Sequence, residues 1–272
     1  LAALAGAGLA ASGVILQGLL QNPMADPYIL GISSGAGLGA TVVMLSGPAA
    51  LLLGIYTVPL AAFASAIVTA FVVYSLARVG KRARMTTMIL AGIAVGSFLT
   101  ALTSYFMIMN GQNVHQVLFW LMGGFAGRGW EHVKVLLPYI LTGLTLMLLY
   151  TRKLNVLLLG EESAQHLGID VERMKQVLLG AATLTAASTV AVSGIIGFVG
   201  LIIPHAVRLI VGPDHRVLLP TTALTGAIFL VLADAAARTA AAPEEIPVGV
   251  ITALCGGPFF IYLLRKKSDP GF

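Results

Sequence analysis

Few residues in this chain have side chains suited to chemistry, and their spacing points to transport more than to catalysis. Asp234 lies inside the apolar run Leu-Val-Leu-Ala-Asp-Ala-Ala-Ala-Arg, where a carboxylate is costly unless paired, and Arg238 stands four residues on, on the same helix face. The pair reads as an ion pair near the outer end of a helix, with Arg238 able to present positive charge outward. Asn22 and Met24 flank Pro23, which together with Pro27 ends one helix and opens another. The adjacent hydroxyls Thr86 and Thr87 open a later helix on the same side of the chain as Asn22, which suggests a small polar constriction. Glu161 and Glu162 favour a helix start through the helix dipole, and Gly168 suits its end. His115 and His132 lack partners at metal-ligand spacing and read as interfacial histidines.

Nucleotide-binding and metalloprotease signatures are absent: no Gly-x-x-x-x-Gly-Lys-Ser/Thr stretch cradles a nucleotide, and no His-Glu-x-x-His occurs. The acids fall at loops and helix ends, so only Asp234 is a candidate for a proton relay. If the chain pumps, its energy comes from another chain. The lone Cys255 excludes an internal disulfide and a cysteine metal cluster, and reads as helix packing.

Composition sets the frame. Of the 272 residues, 58% are hydrophobic and 10% charged, against about 25% charged in soluble domains, and the mean hydropathy is +0.94. The chain reads as an all-α polytopic membrane protein. Apolar runs and their breakers predict nine spans, near 1–20, 28–46, 50–77, 85–109, 133–150, 174–192, 195–211, 217–241 and 247–264. All lysines and arginines except Arg128, Lys134 and Arg238 fall in one alternate set of loops. That set is the cytoplasmic side, which puts the C-terminus inside. The same distribution explains the net charge of +5 without nucleic acid. Leu1 then lies outside, and the expectation is a missing first helix that would make ten.

Four stretches stand out from the apolar background. The segment from Gln17 to Gly37 must be buried in protein or border water, because a proline-broken turn leaves backbone groups that lipid cannot satisfy. The outer loop from Asn110 to Glu131 holds Trp120 and Trp130, both suited to the water–lipid interface, around a Val117–Met122 run too short to span. The cytoplasmic segment 151–175 holds a short helix with Leu159, Ala164 and Leu167 on its apolar side. It either packs on the protein's own cytoplasmic face or docks into a partner. Gly194, Gly197, Gly200 and Pro204 interrupt the helix that follows, as in helices bordering transport pathways, although close helix packing also explains glycine.

Several of these stretches together resemble one family. Gln21-Asn-Pro-Met-Ala-Asp-Pro-Tyr-Ile-Leu-Gly-Ile-Ser-Ser-Gly-Ala-Gly37, Leu159-Gly-Glu-Glu-Ser-Ala-Gln-His-Leu-Gly168, Gly197-Phe-Val-Gly-Leu-Ile-Ile-Pro-His-Ala-Val-Arg208, Asp214-His-Arg-Val-Leu-Leu-Pro220 and Pro247-Val-Gly-Val-Ile-Thr-Ala-Leu254 are similar to segments of the FecCD/BtuC-like permeases. Those are the iron-siderophore, haem and cobalamin permeases of bacterial ABC importers, with the type II importer fold. The likeness runs through the whole chain in order.

The resemblance implies a single permease domain over 1–272, working as a homodimer in the inner membrane around a path on the dimer axis. It implies no cofactor and no catalysis by this chain, with an ATPase dimer on the cytoplasmic face and a substrate-binding protein outside. It assigns the cytoplasmic gate to Asn22, Met24, Thr86 and Thr87, and ATPase coupling, within the segment 151–175, to Gly160, Glu161, Ser163, Ala164 and Leu167. It matches Arg238 to an outer arginine that pairs with glutamates of the binding protein. The implied cargo is a metal chelate, ferric siderophore or haem, with cobalamin as the alternative. A secondary carrier and an intramembrane enzyme are rivals. Met107, Met109, Phe125 and Arg128 are expected along the path.

Overall fold

The computed structural model describes residues 1–46, 54–79, 82–83, 85–110 and 114–266. The start of the third expected span, the basic loop positions Lys81 and Arg84, residues 111–113 of the outer loop, and Lys267 fall outside the described residues. The regular elements among the described residues are helices apart from one short antiparallel pair, β1 (Arg78–Val79) with β2 (Arg82–Ala83), in which Arg78 faces Ala83.

The helices are α1 (Ala2–Leu19), α2 (Ile32–Leu45), α3 (Thr57–Ala77), α4 (Met85–Met109), α5 (Val114–Leu121), α6 (Trp130–Leu157), α7 (Glu161–His166), α8 (Val171–Ser193), α9 (Val199–Val211), α10 (His215–Thr239) and α11 (Val248–Lys266). Six described helices are long and apolar enough to cross a membrane, and three shorter apolar ones, Ile32–Leu45, Val199–Val211 and Val248–Ile261, stand beside them. Their order follows the expected spans. The second starts later than expected because Pro27–Leu30 forms a separate 3-10 turn, and the seventh because Gly194–Phe198 is not helical. α6 overruns both predicted ends, carrying polar residues from Glu131 to Asn155.

Two helices make the centre. α1 is 78% and α8 72% buried over their most apolar windows, against 11% for α4. α1 packs on α10, α8, α9 and α6, and its composition explains how. With no hydrophobic drive between helices in lipid, association depends on close van der Waals fit, and small residues permit it. A Cβ on Gly6 would fall onto the Gly226 carbonyl of α10, and one on Gly13 onto the Gly200 backbone of α9. Backbone therefore meets backbone at both crossings. Ser12 Oγ adds a donor to Ala182 O of α8 at 3.2 Å.

α4 is the opposite case. Leu90, Ile93, Phe98, Tyr105 and Ile108 are exposed along it. It leans on α2, α3 and the 27–30 turn.

The candidate transport site and its docking faces

Both interruptions expected from glycine and proline occur, and they touch each other. The first begins where α1 ends. Gln21 takes a left-handed backbone (φ 47°), Asn22 Oδ1 accepts the Met24 N–H at 2.9 Å, and Asp26 Oδ1 accepts the Tyr28 N–H at 2.8 Å. These are side-chain turns that satisfy backbone donors locally. Gln17, from inside α1, reaches Leu201 O at 3.1 Å and Ala25 O at 3.5 Å. The second interruption is Gly194–Phe198, between α8 and α9, with Gly194 (φ 70°) and Phe198 (φ 69°) both in the left-handed region. There Tyr28 Oη donates to Ile196 O at 2.9 Å and receives the Ile196 N–H at 3.2 Å. Ser193 O accepts the Gly124 N–H at 2.7 Å. Backbone groups freed by the break are thus met from within the protein, as a membrane interior requires.

Of the four residues expected at the cytoplasmic gate, Asn22 and Met24 belong to the first interruption and Thr86 and Thr87 to the start of α4. Asn22 and Met24 are half-buried in the turn just before Pro27–Leu30. Thr86 is exposed and Thr87 half-buried on the first turn of α4. α4 packs against the 27–30 turn, where Gly92 lets the Ile29 carbonyl approach. Along that contact a groove of about 570 Å³ opens between α4 and the turn with the start of α2. Tyr28, Ser33, Ser34, Ser97, Thr100 and Ser104 are among the residues lining it. Ser97, Thr100 and Ser104 fall on one face of α4 by their spacing. Sequence reasoning missed this hydroxyl stripe, although the spacing was there to be read.

In the segment 151–175, expected on the cytoplasmic face, α7 spans Glu161–His166, capped in front by Gly160 (φ 104°) and followed by Gly168 (φ 79°). Ala164 is fully buried, whereas Leu159 and Leu167 are 70% and 66% exposed and Ser163 is exposed too. The short helix therefore packs on its own protein through one alanine, and the leucines flanking it are exposed. Glu161 turns back toward α8, with its Oε1 2.6 Å from Lys175 Nζ. Next to this, Asn155 near the end of α6 donates to Asp214 Oδ1 at 2.6 Å. Its own Oδ1 accepts the His215 backbone N–H at 2.9 Å and the ring Nδ1–H at 2.8 Å. An amide oxygen only accepts, so His215 carries its proton on Nδ1. The Arg216 backbone N–H, with the Asn155 amide, holds the exposed Asp214 carboxyl below its usual range.

At the end expected to face outward, a cavity of about 890 Å³ lies among α5, the loop before α6, the end of α10 and the residues before α11. Arg238 is on its wall, as are Phe125 and Arg128. Arg238 Nε is 3.1 Å from Asp234 Oδ2, the expected i,i+4 pair, and its Nη1 is 3.8 Å from Glu245 Oε1. Arg128 Nη1 is 3.3 Å from His132 Nε2, while His132 Nδ1 faces the Gly129 N–H at 3.2 Å. A neutral imidazole has one acceptor nitrogen, so only one of these can be a hydrogen bond at a time. Met107 and Met109 lie on α4 and are not among the residues lining this cavity. Trp130 is 79% exposed, as an interfacial residue would be, but Trp120 is buried against Gly194 and belongs to the core. Cys255 is exposed on α11 in the single chain instead of packed. Among the described residues no group of histidines, cysteines and acids could hold a metal ion.

This arrangement has close counterparts among known proteins. The model of the FecCD transport family matches residues 1–266. The chain belongs to that family. It is therefore a multi-pass permease subunit of the ABC-importer kind, a class that works with a separate ATPase and a substrate-binding protein. It is 49% identical to the cobalamin import system permease protein BtuC of Halobacterium salinarum, over 98% of this chain and 71% of that one. It is 43% identical to the Fe(3+)-citrate import system permease protein YfmE of Bacillus subtilis, over 98% of this chain and 79% of that one. It is 41% identical to the hemin transport system permease protein HmuU of Yersinia pestis, over 99% of this chain and 81% of that one. A solved metal-chelate type ABC transporter in an inward-facing conformation superposes with a TM-score of 0.88 at 34% identity, covering 97% of this chain and 83% of that one.

Proposed function

We propose that this FecCD-family chain forms the path by which a large metal chelate crosses the cytoplasmic membrane, pulled by ATP hydrolysis in a partner. The observation that carries this is the form of the 159–167 segment, in which α7 buries Ala164 while the leucines flanking it, Leu159 and Leu167, are exposed. Exposed apolar side chains beside a packed anchor suit a partner's groove. Gly160, Glu161, Ser163, Ala164 and Leu167 are the ATPase-coupling set within the segment 151–175 of a single permease domain. The C-terminus is cytoplasmic, as the lysine and arginine distribution favours.

Two copies of the chain flank the path. The exposed apolar face of α4, interrupted by the hydroxyls of Ser97, Thr100 and Ser104, supports α4 as a wall of that path. Asn22, Met24, Thr86 and Thr87 form its cytoplasmic gate, small polar groups that can meet water without stranding a buried charge. Arg238, at the rim of the outer cavity, receives the binding protein. Phe125 and Arg128 line the entrance.

Among cargoes, the cobalamin permease relative at 49% identity favours a corrinoid over the ferric siderophore or haem suggested by the sequence motifs. The test is uptake into proteoliposomes holding the full-length permease with its ATPase and binding protein. Cyanocobalamin, hemin and ferric citrate are each offered with and without internal ATP. ATP-dependent uptake of cyanocobalamin supports the reading, uptake of an iron chelate redirects the cargo, and ATP-independent uptake would favour a secondary carrier.

A further inference from the structure

Lys175 was expected in a cytoplasmic loop, as one more cation on the positive side. Instead it lies on the buried face of α8, on the same stripe as Val171, Met174 and Leu178, with its side chain only 6% exposed. An ammonium in that position is tolerable only when paired. Its partners are Glu161 Oε1 of α7 at 2.6 Å and Glu172 Oε1 of its own helix at 3.6 Å. The shorter contact crosses between elements. It is an ion pair fixing the first residue of α7 to α8.

α7 has six residues, too few to hold its own shape or place. Beyond the pair, α8 continues unbroken to Ser193, whose carbonyl takes the Gly124 N–H beside the outer cavity. A displacement of α7 that is rigidly shared with α8 would thus reach the outer end of the path. If the pair were absent, α7 could tilt about Ala164 and the glycines at 160 and 168 without moving α8.

We propose that Lys175 is a positioning residue for energy coupling. By clamping Glu161 it turns α7 and α8 into one body, so that movement of the ATPase is delivered to the membrane helices. The inference rests on α7 being the ATPase seat. It also gives Glu161 a role through Lys175 instead of through the ATPase surface.

The test uses the full-length permease assembled with its ATPase and binding protein in proteoliposomes. The readout is ATP hydrolysed per molecule taken up, with whichever of cyanocobalamin, hemin or ferric citrate the wild type carries. Lys175→Met and Glu161→Gln should each raise that ratio several-fold while the ATPase stays bound. The double variant should be no worse than either single one, and Lys175→Arg, which keeps the cation, should restore most of the coupling. A clamp that only stabilised the fold would lower the amount of assembled complex and leave the ratio unchanged. An unchanged ratio in assembled Lys175→Met and Glu161→Gln complexes would overturn the inference with the ATPase seat intact. Failure of the wild-type permease to hold the ATPase would instead overturn the seat, and this inference with it.

Discussion

Tyr28 and Ile196 exchange two hydrogen bonds, the tyrosine hydroxyl giving its proton to the Ile196 carbonyl and accepting the Ile196 N–H. One residue belongs to the proline turn after α1 and the other to the unwound segment between α8 and α9, 168 positions away. The two interruptions in the helical bundle are therefore a single joint, and one phenol satisfies both main-chain groups of Ile196. Helices broken in the membrane need such a partner because neither water nor lipid supplies one.

Removing that hydroxyl should be costly out of proportion to its size. Tyr28→Phe leaves the N–H and C=O of Ile196 without their partner, and should destabilise the protein by about 1–3 kcal/mol. Thermal unfolding of the detergent-solubilised permease would show it, as a lowered midpoint with the helical spectrum retained at low temperature.

The close helix crossings predict a second sensitivity. At Gly13 a methyl group would land on the Gly200 backbone, which has no flexible side chain to move aside. Gly13→Ala should cost about 1–3 kcal/mol, in the range of overpacked cores, while Gly180→Ala, with open space at its Cβ position, should be neutral. Comparing folded yield and unfolding temperature of the two variants separates steric contact from glycine loss as such.

The Asp214 cap gives a pH prediction. Its carboxyl is held below the usual range by the Arg216 N–H first and the Asn155 amide second. A depressed folded-state pKa contributes stability that is complete above the unfolded value and lost as pH falls through the folded one. Asp214→Asn should therefore be less stable than wild type near neutral pH, with the gap closing in acid. Unfolding temperatures measured from pH 7 down to 3 would check it.

How much of this was legible beforehand depends on range along the chain. Local signals read correctly: the dipole and glycine pattern delimited α7, the four-residue spacing gave Asp234–Arg238, and Gly194 marked a real break. Contacts between distant elements were not legible. Nothing in the spacing of Glu161 and Lys175 joins them, because the turn between α7 and α8 decides their approach; only a lysine on an apolar stripe hinted at burial. Trp120 misled for a related reason. An amphipathic ring suits both the interface and a core, and α5 buries this one while its main chain packs against Gly194.

Arg238, proposed to receive the binding protein, already has two acids near it, one close and one loose. An incoming carboxylate would replace the looser Glu245. Arg238→Glu should weaken binding-protein affinity by about tenfold or more, mostly through faster dissociation, and the loss should shrink at high salt. Surface plasmon resonance on the nanodisc-held full-length permease measures both.

The central claim is that the exposed side of α7 seats an ATPase, and the most direct measurement is the affinity of that ATPase for the full-length permease with and without the two outward leucines. Leu159 and Leu167 are largely exposed, so Leu159→Ser with Leu167→Ser should leave the permease folded. Binding of the ATPase should nevertheless fall by about tenfold or more, given the apolar area those side chains would bury. Unchanged ATPase affinity in the folded double variant would contradict the account.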